Sequence, residues 1–447
     1  MNLRGSPLIA VLLTILISAY ITIAALYAAL TPRWQVPDEP AHYNYIRSLA
    51  DGEGLPILES GDYDQRYLER LTSEGFPPEL SIARLEYEDH QPPLYYLLAT
   101  PIFLLSDGSL LPLRLFSVLL GSGLLIVTFG AVRTIFPDRP EMGLIAAGFI
   151  ALIPQHTAMT AGVNNDTLAE LIVAGTLWAL LVYSQHQEQP SVLRPDRQPP
   201  WRLGFLLGAA LLTKTTAYVV VGVAAAAVVI RWRRDCRTLR WATRQLTWML
   251  LPALLVSAPW FVRNGLVYGS GDPLALAQHS AVAAGQPRSR DWLVAYGWDG
   301  LLSRMIHTTF QSFWGQFGWM AVPLRARVYQ ALALLSIVLA GGFLAWLIRQ
   351  RRPQTSNSVT YHRLGLLALS ALFTLLSYGW YNLTFVQHQG RYLFPALVPM
   401  ATAVGLGLDT LAGILPTRLR HWALSAFFAA LAAFDVYCLF KIIIPNL

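Results

Sequence analysis

The spacing of apolar residues predicts a chain built from membrane-spanning helices. Eleven apolar runs alternate with polar segments, and most of them are long enough to cross about 30 Å of hydrocarbon as a helix. They lie at 8–30, 110–132, 142–160, 166–184, 202–213, 216–230, 245–262, 328–348, 363–384, 392–412 and 421–443. We therefore predict an all-α polytopic membrane protein with about 11 spans, in a range of about 9–13.

Three apolar segments do not fit a simple span. The stretch 202–230 must cross twice with helices of about 12 to 15 residues, which predicts a broken helix pair or local thinning around Thr213, Lys214 and Thr215. The stretch 93–105 is too short to cross, so we expect it to lie in the interface or to enter partway. Residues 1–30 are interpreted as a retained anchor, because no small-residue cleavage pattern follows them; a secretory signal is the alternative.

Composition excludes an ordinary soluble enzyme. The mean hydropathy is +0.43, 54% of residues are apolar and 13% are charged, and so much apolar surface requires lipid around it. The two cysteines, Cys236 and Cys438, are too few for a disulfide framework or a thiolate metal site.

The net charge of +7 reflects topology rather than a nucleic-acid partner. Residues 31–92 hold 13 of the 26 acidic residues and 5 arginines, whereas arginine clusters in the loops at 231–244, 349–352 and 418–420. The positive-inside rule places those loops, and the Gln- and Pro-rich loop at 185–200, in the cytoplasm. The acidic loop then lies outside. Only two of the 33 basic residues are lysines, which indicates GC-rich codons and a bacterial plasma membrane.

Three regions follow from this topology. Residues 1–262 are expected to form an N-terminal transmembrane module that includes the acidic outer loop 31–92. Residues 263–327 form a second outer loop, whose aromatic run at 310–319 is expected to be an interfacial anchor. Residues 328–447 form the C-terminal transmembrane helices. Within the acidic loop, the pattern predicts one helix over 40–50 and another over 63–73.

A carboxylate pair, Asp38 and Glu39, follows the first span by a few residues. A helix N-cap with an acidic first turn is the interpretation that spacing alone favours. The alternative is a catalytic base close to the membrane surface. At the end of the same loop, Pro92 and Pro93 hold Asp89 and His90 at the surface, where solvated acids beside an aromatic belt are the alternative to a site.

Charged residues inside or beside later spans are further candidates. Asp166 follows two asparagines and opens an apolar run, which by itself favours a capping role. Lys214 lies between two apolar half-helices, where an ionisable group is a functional hypothesis and a snorkelling lysine is the alternative. Arg391 would lie at the outer bilayer edge, where it suits a lipid phosphate as well as an interfacial anchor.

The order of these motifs resembles the GT-C membrane glycosyltransferases, in particular the protein O-mannosyltransferase and aminoarabinose-transferase branch (glycosyltransferase family 39). The resemblance is firm over residues 8–220 and mainly topological afterwards, until the motif at Arg391. The motifs are Asp38-Glu39, Asp89-His90-Gln91-Pro92-Pro93-Leu94-Tyr95-Tyr96, Asn164-Asn165-Asp166, Leu212-Thr213-Lys214 and Arg391-Tyr392-Leu393.

The resemblance implies a GT-C fold and transfer of a sugar from a polyprenyl-phosphate donor to a hydroxyl or amine on the outer side, with inversion. It implies a lipid, glycan or protein acceptor and no nucleic-acid partner. Asp38 would be the general base, with Glu39 beside it. The implied donor-phosphate contacts are Lys214, Arg391, His90 and His388. The implied acceptor or cavity residues are Glu88, Asp89, Asp166 and His42.

One departure from the family concerns the donor phosphate. Many relatives have Lys or His immediately before Pro-Pro-Leu, whereas this chain has the neutral Gln91, so that contact is missing or is supplied by His90. Asp38, Asp89 and Asp166 could gather a divalent ion. Because the branch usually works without one, we expect no obligatory metal or other cofactor.

Two other functions remain open. A transporter or flippase for lipid-linked sugars also uses paired half-helices and an intramembrane lysine, but it predicts an inverted repeat, and the sequence shows no matching halves. A transferase similar to the O-antigen ligases would rely on Arg and His, and loss of Asp38 would then matter little.

Overall fold

The computed structural model describes residues 7–184, 200–283, 285–350 and 358–447. Apart from Pro200, the predicted loop at 185–200 lies outside them, as do Arg351 and Arg352. The helices of the first half are α1 (Pro7–Leu30), α2 (Glu39–Ala50), α3 (Gln65–Ser73), α4 (Leu94–Leu105), α5 (Leu110–Ile135), α6 (Glu141–Ala151), α7 (Pro154–Thr160), α8 (Asp166–Tyr183) and α9 (Trp201–Leu211). Those of the second half are α10 (Val219–Arg234), α11 (Leu239–Val267), α12 (Leu276–Val282), α13 (Ser289–Trp314), α14 (Ala326–Gln350), α15 (Ser358–Asn382), α16 (Leu397–Ala412), α17 (Thr417–Tyr437) and α18 (Ile444–Asn446).

Short elements complete the described chain. Turns of 3-10 helix occupy Ile82–Arg84, Thr215–Tyr218 and Gly390–Ala396, and a π-helix at Cys438–Ile443 joins α17 to α18. Two short antiparallel strands, β1 (Gln316–Phe317) and β2 (Val322–Pro323), form a hairpin. They are the strand elements of the described residues.

The predicted all-α polytopic architecture is confirmed. Within the described ranges, nine helical segments are long and apolar enough to cross a membrane, or ten if α6 and α7 form one bent span. Both counts fall within the predicted range. Helices α4 and α9 are apolar but short, as the sequence predicted for 93–105 and for the first half of 202–230.

Two apolar stretches are interrupted, each for a local reason. The run 142–160 bends by 72° between α6 and α7, because Pro154 begins α7 and cannot continue the hydrogen bonding of the helix before it. The run 202–230 breaks between Leu211 and Thr215, so Lys214 lies at the gap between α9 and a 3-10 turn that leads into α10. The broken helix pair expected there is confirmed.

Helix α5 lies at the centre of the N-terminal bundle, in contact with α1, α6 and α8. Beyond the membrane, α2 and α3 confirm the two helices predicted in the acidic loop. Helix α2 ends at Ala50 with Asp51 as its C-cap, and Gly52 follows with a φ of 80°, the left-handed conformation in which glycine ends a helix readily. Helix α3 is capped by Asp64, whose side chain accepts from two backbone N–H groups.

The aromatic run at 310–319 differs from its prediction. Phe313, Trp314 and Phe317 are each at most 7% exposed, so they pack inside the protein, and the interfacial-anchor prediction is wrong for them. Phe313 and Trp314 end α13 and contact each other edge to face. The exposed apolar residues of α13 lie earlier, at 294, 296, 298, 302 and 306, on both sides of a kink at Gly297.

Candidate active site

Asp38 occupies the N-cap position of α2 but does not cap it. Its backbone is left-handed, with φ 66°, and its side chain makes no hydrogen bond to the helix. Instead, one carboxylate oxygen accepts a hydrogen bond of 3.0 Å from the hydroxyl of Tyr87. The other lies 2.5 Å from Nη2 of Arg391. The capping interpretation therefore identified the position correctly and its hydrogen bond incorrectly, since the carboxylate is turned towards a cation.

Arg391 is held by the docking of its 3-10 turn against α13. The backbone N–H of Gly390 donates to Oγ of Ser312 at 2.7 Å. A Cβ at Gly390 would lie 2.3 Å from the backbone nitrogen of Phe313, so only glycine allows this close approach. The guanidinium is 9% exposed, and its Nε has no hydrogen-bond partner. Arg391 also lines the adjacent cavity.

Lys214 brings a second cation to the same place. Its Nζ lies 2.6 Å from a carboxylate oxygen of Asp166, the first residue of α8. The gap that carries Lys214 is fixed by the backbone, because the N–H of Leu94 donates to the carbonyl of Leu212 at 2.9 Å. The side-chain amide of Asn165 donates to the carbonyl of Thr213 at 3.3 Å. Three segments that lie far apart in sequence are thus tied together.

A cavity of about 260 Å³ lies between these charged groups. The break before α10 contributes the start of a helix, where backbone N–H groups and the helix dipole favour an anion. The buried hydroxyl of Thr216 there has no partner. The lining combines charged or ionisable groups with aromatic and hydroxyl side chains. These residues include Asp38, Glu88, His90, His279, Lys214, Arg391, Thr215, Thr216, Tyr218, Tyr378, Tyr381 and Tyr392.

The two acids of the cavity differ in protonation. Burial alone would raise the pKa of Asp38, but the neighbouring positive charges together, that of Arg391 foremost, outweigh it and hold that pKa below its usual value. Burial, followed by the negative charge of Asp38, raises the pKa of Glu88 to about 8. At neutral pH, Asp38 is therefore an anion and Glu88 a neutral acid. The Glu88 oxygen Oε2 is buried without a partner.

Glu39, predicted to stand beside the base, points away from the cavity. It is fully buried and pairs with Arg114 of α5, at 2.8 and 2.7 Å. It also accepts from the backbone N–H groups of Trp34 and Val163. With both oxygens occupied, this carboxylate holds α2 to the bundle, so the catalytic prediction for Glu39 is not supported.

The predicted phosphate-binding histidines are neutral. His90 lines the cavity, but burial, followed by the neighbouring His279, lowers its pKa well below its usual value. Its two ring nitrogens face the carbonyl of Tyr87 and the amide of Gln91. His388 is 3% exposed and does not line the cavity, and burial lowers its pKa to about 4. The geometry supports neither as a cationic contact.

Of the four predicted acceptor or cavity residues, Glu88 lines the cavity and the other three do not. Asp166 does not line the cavity itself, but it pairs with Lys214, which does. His42 binds the hydroxyl of Tyr96 at 2.9 Å, and burial lowers its pKa to about 3. Asp89 faces the acidic loop, and burial raises its pKa to about 9. Neither His42 nor Asp89 lines the cavity.

The set considered for a divalent ion is not assembled. In the ranges that the structure describes, no three His, Cys, Asp or Glu side chains stand close enough together to hold a metal. Asp38 and Asp166 instead each pair with a cation. The donor set therefore does not fit a metal bound by Asp38, Asp89 and Asp166.

Several residues of the site were missed from sequence. Tyr87 was not connected with Asp38, because no local pattern pairs residues 49 positions apart. Tyr381 and His279 line the cavity from elements after residue 262, where the family resemblance was mainly topological. Arg114 gave a signal that could have been used, since it is a charged residue inside an otherwise apolar span.

The family model described as dolichyl-phosphate-mannose-protein mannosyltransferase matches residues 90–262 of this chain. ArnT from Cupriavidus metallidurans, solved with undecaprenyl phosphate bound, superposes with a TM-score of 0.51 at 15% identity, over 98% of this chain and 71% of ArnT. The chain has the GT-C fold. This confirms the fold that the resemblance implied.

A second GT-C structure is less similar. AglB from Archaeoglobus fulgidus, an oligosaccharyltransferase in complex with an inhibitory peptide and a dolichol-phosphate, gives a TM-score of 0.48 at 13% identity. The match covers 95% of this chain and 55% of AglB. No curated protein matches the chain. The likeness of ArnT to the chain, at 15% identity, is one of fold.

Proposed function

We propose that the chain is a glycosyltransferase that moves a sugar from a polyprenyl-phosphate donor to a hydroxyl or amine of an acceptor. The observation that carries the proposal is the Asp38–Arg391 ion pair, which faces a cavity that also holds Lys214. A carboxylate and two cations are the groups that such a transfer needs. The GT-C fold, and the undecaprenyl phosphate in ArnT, support the choice of donor.

The two cations suit the phosphate of the donor. Arg391 has an unpartnered Nε–H, and a guanidinium binds phosphate oxygens in a fixed geometry. The ammonium of Lys214 carries three N–H groups. Both would stabilise the negative charge that develops on the phosphate oxygen as its bond to the sugar breaks.

Asp38 would act as the base. The acceptor oxygen or nitrogen forms a bond to the anomeric carbon and loses a proton to Asp38, while the bond from that carbon to the phosphate oxygen breaks and its electron pair leaves with the lipid phosphate. A donor phosphate would also compete for Arg391. Because the charge of Arg391 contributes most to holding the pKa of Asp38 down, sharing that cation would make Asp38 a stronger base.

The aromatic lining suits a sugar ring. Tyr218, Tyr378, Tyr381 and Tyr392 surround the charged groups, and they offer apolar faces together with hydroxyls. Neutral Glu88 can both donate and accept hydrogen bonds. We propose inversion at the anomeric carbon, an active site on the outer side of a bacterial plasma membrane, and no obligatory metal or other cofactor, as the family resemblance implies.

The test compares Asp38→Asn with the native protein in membranes supplied with radiolabelled sugars on a panel of polyprenyl phosphates. Asparagine tolerates the left-handed backbone at this position, so the substitution removes the charge with little backbone strain. Asp51→Asn, at the exposed end of the same helix, is the matched control. Folding of each variant is checked by size-exclusion chromatography in detergent.

We expect transfer by the native protein and by Asp51→Asn, and a loss of at least a hundredfold in folded Asp38→Asn, the usual lower range for removing general base catalysis. Equal transfer by Asp38→Asn would reject the base and favour the ligase-like mechanism. Absence of transfer from every donor, together with movement of the labelled lipid across vesicle membranes, would identify a carrier instead.

A further inference from the structure

A second, larger cavity lies on the same side of the bundle as Asp38 but does not include the charged groups of the candidate active site. Its volume is about 840 Å³. It is bounded by the end of α3, the β1–β2 hairpin, the start of α14 and the π-helix that follows α17. Gln35, three residues before Asp38, forms part of its wall. The two cavities are therefore lined by neighbouring residues of the same segment, Gln35 in this one and Asp38 in the other.

Two cations face this second cavity. They are Arg325, immediately before α14, and Lys441 in the π-helix. Neither forms an ion pair with an acidic residue in the described part of the chain. The one acidic side chain in the lining, Glu74, is paired with Arg70 at 2.8 Å. The cavity thus has two cations available, and its one acidic side chain is already engaged.

Both cations lie where lipid headgroups are found. Arg325 precedes a candidate membrane span by one residue, and Lys441 lies five residues before Asn446, the end of another. Five helical residues correspond to about 7.5 Å, so both cations are within a headgroup layer of the span ends. Trp319 and Val322 of the hairpin add apolar surface to the same wall. A cation pair beside apolar side chains suits an amphiphile better than a free ion.

We propose that this cavity binds the phosphate group of an anionic lipid from the leaflet next to Asp38. Arg325 and Lys441 contact the phosphate, and the hairpin contacts the adjoining apolar part of the lipid. The site is separate from the cavity that contains Lys214 and Arg391. Lipid binding at this site depends on the charge of the headgroup and does not require sugar transfer.

The test measures lipid binding to the full chain, purified in neutral detergent, by native mass spectrometry. The probes are phosphatidylglycerol, the zwitterionic phosphatidylcholine of the same acyl length, and inorganic phosphate. The variants are Arg325→Gln, Lys441→Gln and the double substitution. Arg327→Gln is the matched control, because Arg327 is an exposed cation two residues away that does not line the cavity.

We expect one phosphatidylglycerol to bind in preference to phosphatidylcholine, with affinity about fivefold weaker in each single variant and about 25-fold weaker in the double variant, from the usual contribution of one cation near an anionic lipid. Arg327→Gln should bind as the native protein does. Equal affinity in the native protein and the double variant would overturn the proposal. So would equal binding of the two lipids, or complete displacement of phosphatidylglycerol by millimolar inorganic phosphate. Both cations are exposed, and the single variants test the site if the double variant does not fold.

Discussion

The ion pair between Glu39 and Arg114 should stabilise the fold and should play no part in chemistry. Glu39 is 0% exposed and Arg114 is 3% exposed. Beyond its two bonds to Glu39, the guanidinium donates to the carbonyls of Ala28, Thr31 and Pro32, at 2.9, 2.7 and 3.0 Å. The pair therefore joins α2 to the end of α1 and to α5. These are the segments that place Asp38.

Substitution of Glu39 by Gln keeps the shape and removes the charge. Arg114 would remain buried without its anion, and the loss of one partner from a buried ion pair costs about 3–5 kcal/mol. For a large chain this corresponds to a fall in Tm of about 6–10 °C. Because the cost comes from the uncompensated charge, the double substitution Glu39→Gln with Arg114→Met should recover part of the loss.

The assay is thermal unfolding in detergent, followed by size-exclusion chromatography, for the native protein, both single variants and the double variant. Glu53→Gln is the control, since Glu53 undergoes the same chemical change at an exposed position of the same loop. A Glu39→Gln variant with native Tm and abolished sugar transfer would refute the reasoning, and would restore Glu39 as a catalytic residue. Equal destabilisation by Glu53→Gln would show that the effect is unrelated to burial.

Three further predictions concern the cavity. Lys214→Gln should raise the KM for the donor at least tenfold in steady-state transfer assays, because a charge-assisted bond to phosphate is lost; an unchanged KM would remove Lys214 from the donor site. Between pH 4.5 and about 8 the native protein keeps the Glu88 proton that the unfolded chain releases, so stability should fall as pH rises through this window; Glu88→Gln should flatten that part of a Tm–pH profile, and an unchanged profile would contradict the raised pKa. Gly390→Ala should lower Tm by several degrees, because its Cβ would collide with the backbone of α13, whereas Gly379→Ala in α15, with open space around it, should not; equal effects of both in the same unfolding assay would contradict the close approach.

The sequence was a good guide to the elements and to several residues of the site, because those features are local. Apolar runs report directly on spans, since lipid requires a helix to satisfy its own backbone hydrogen bonds. The charge of Lys214 in an apolar stretch was likewise visible, and the break that exposes it was expected from the shortness of the flanking runs. Asp38 was found from its place after the first span.

Pairings between distant residues could not be predicted from local patterns. Asp38 and Arg391 are 353 positions apart, and nothing in either motif specifies the other. The same applies to Glu39, which looked equivalent to Asp38 in sequence. Successive residues at a helix start project in directions about 100° apart, so one carboxylate reaches the cavity and its neighbour reaches α5. Which of the two does so is decided by Arg114, a partner provided by the tertiary fold.

The backbone of Asp38 is where local preference and observed structure disagree most. A left-handed conformation costs an ordinary residue about 1–3 kcal/mol, and an unused N-cap bond forgoes about 1 kcal/mol more. Both costs fall on a residue whose side chain would satisfy the helix if it turned back. The fold accepts them, and the carboxylate faces Arg391 beside Lys214 and the neutral acid Glu88. Departures from local preference concentrated in one cavity are what a functional site produces, and they are an argument for Asp38 that does not depend on the family resemblance.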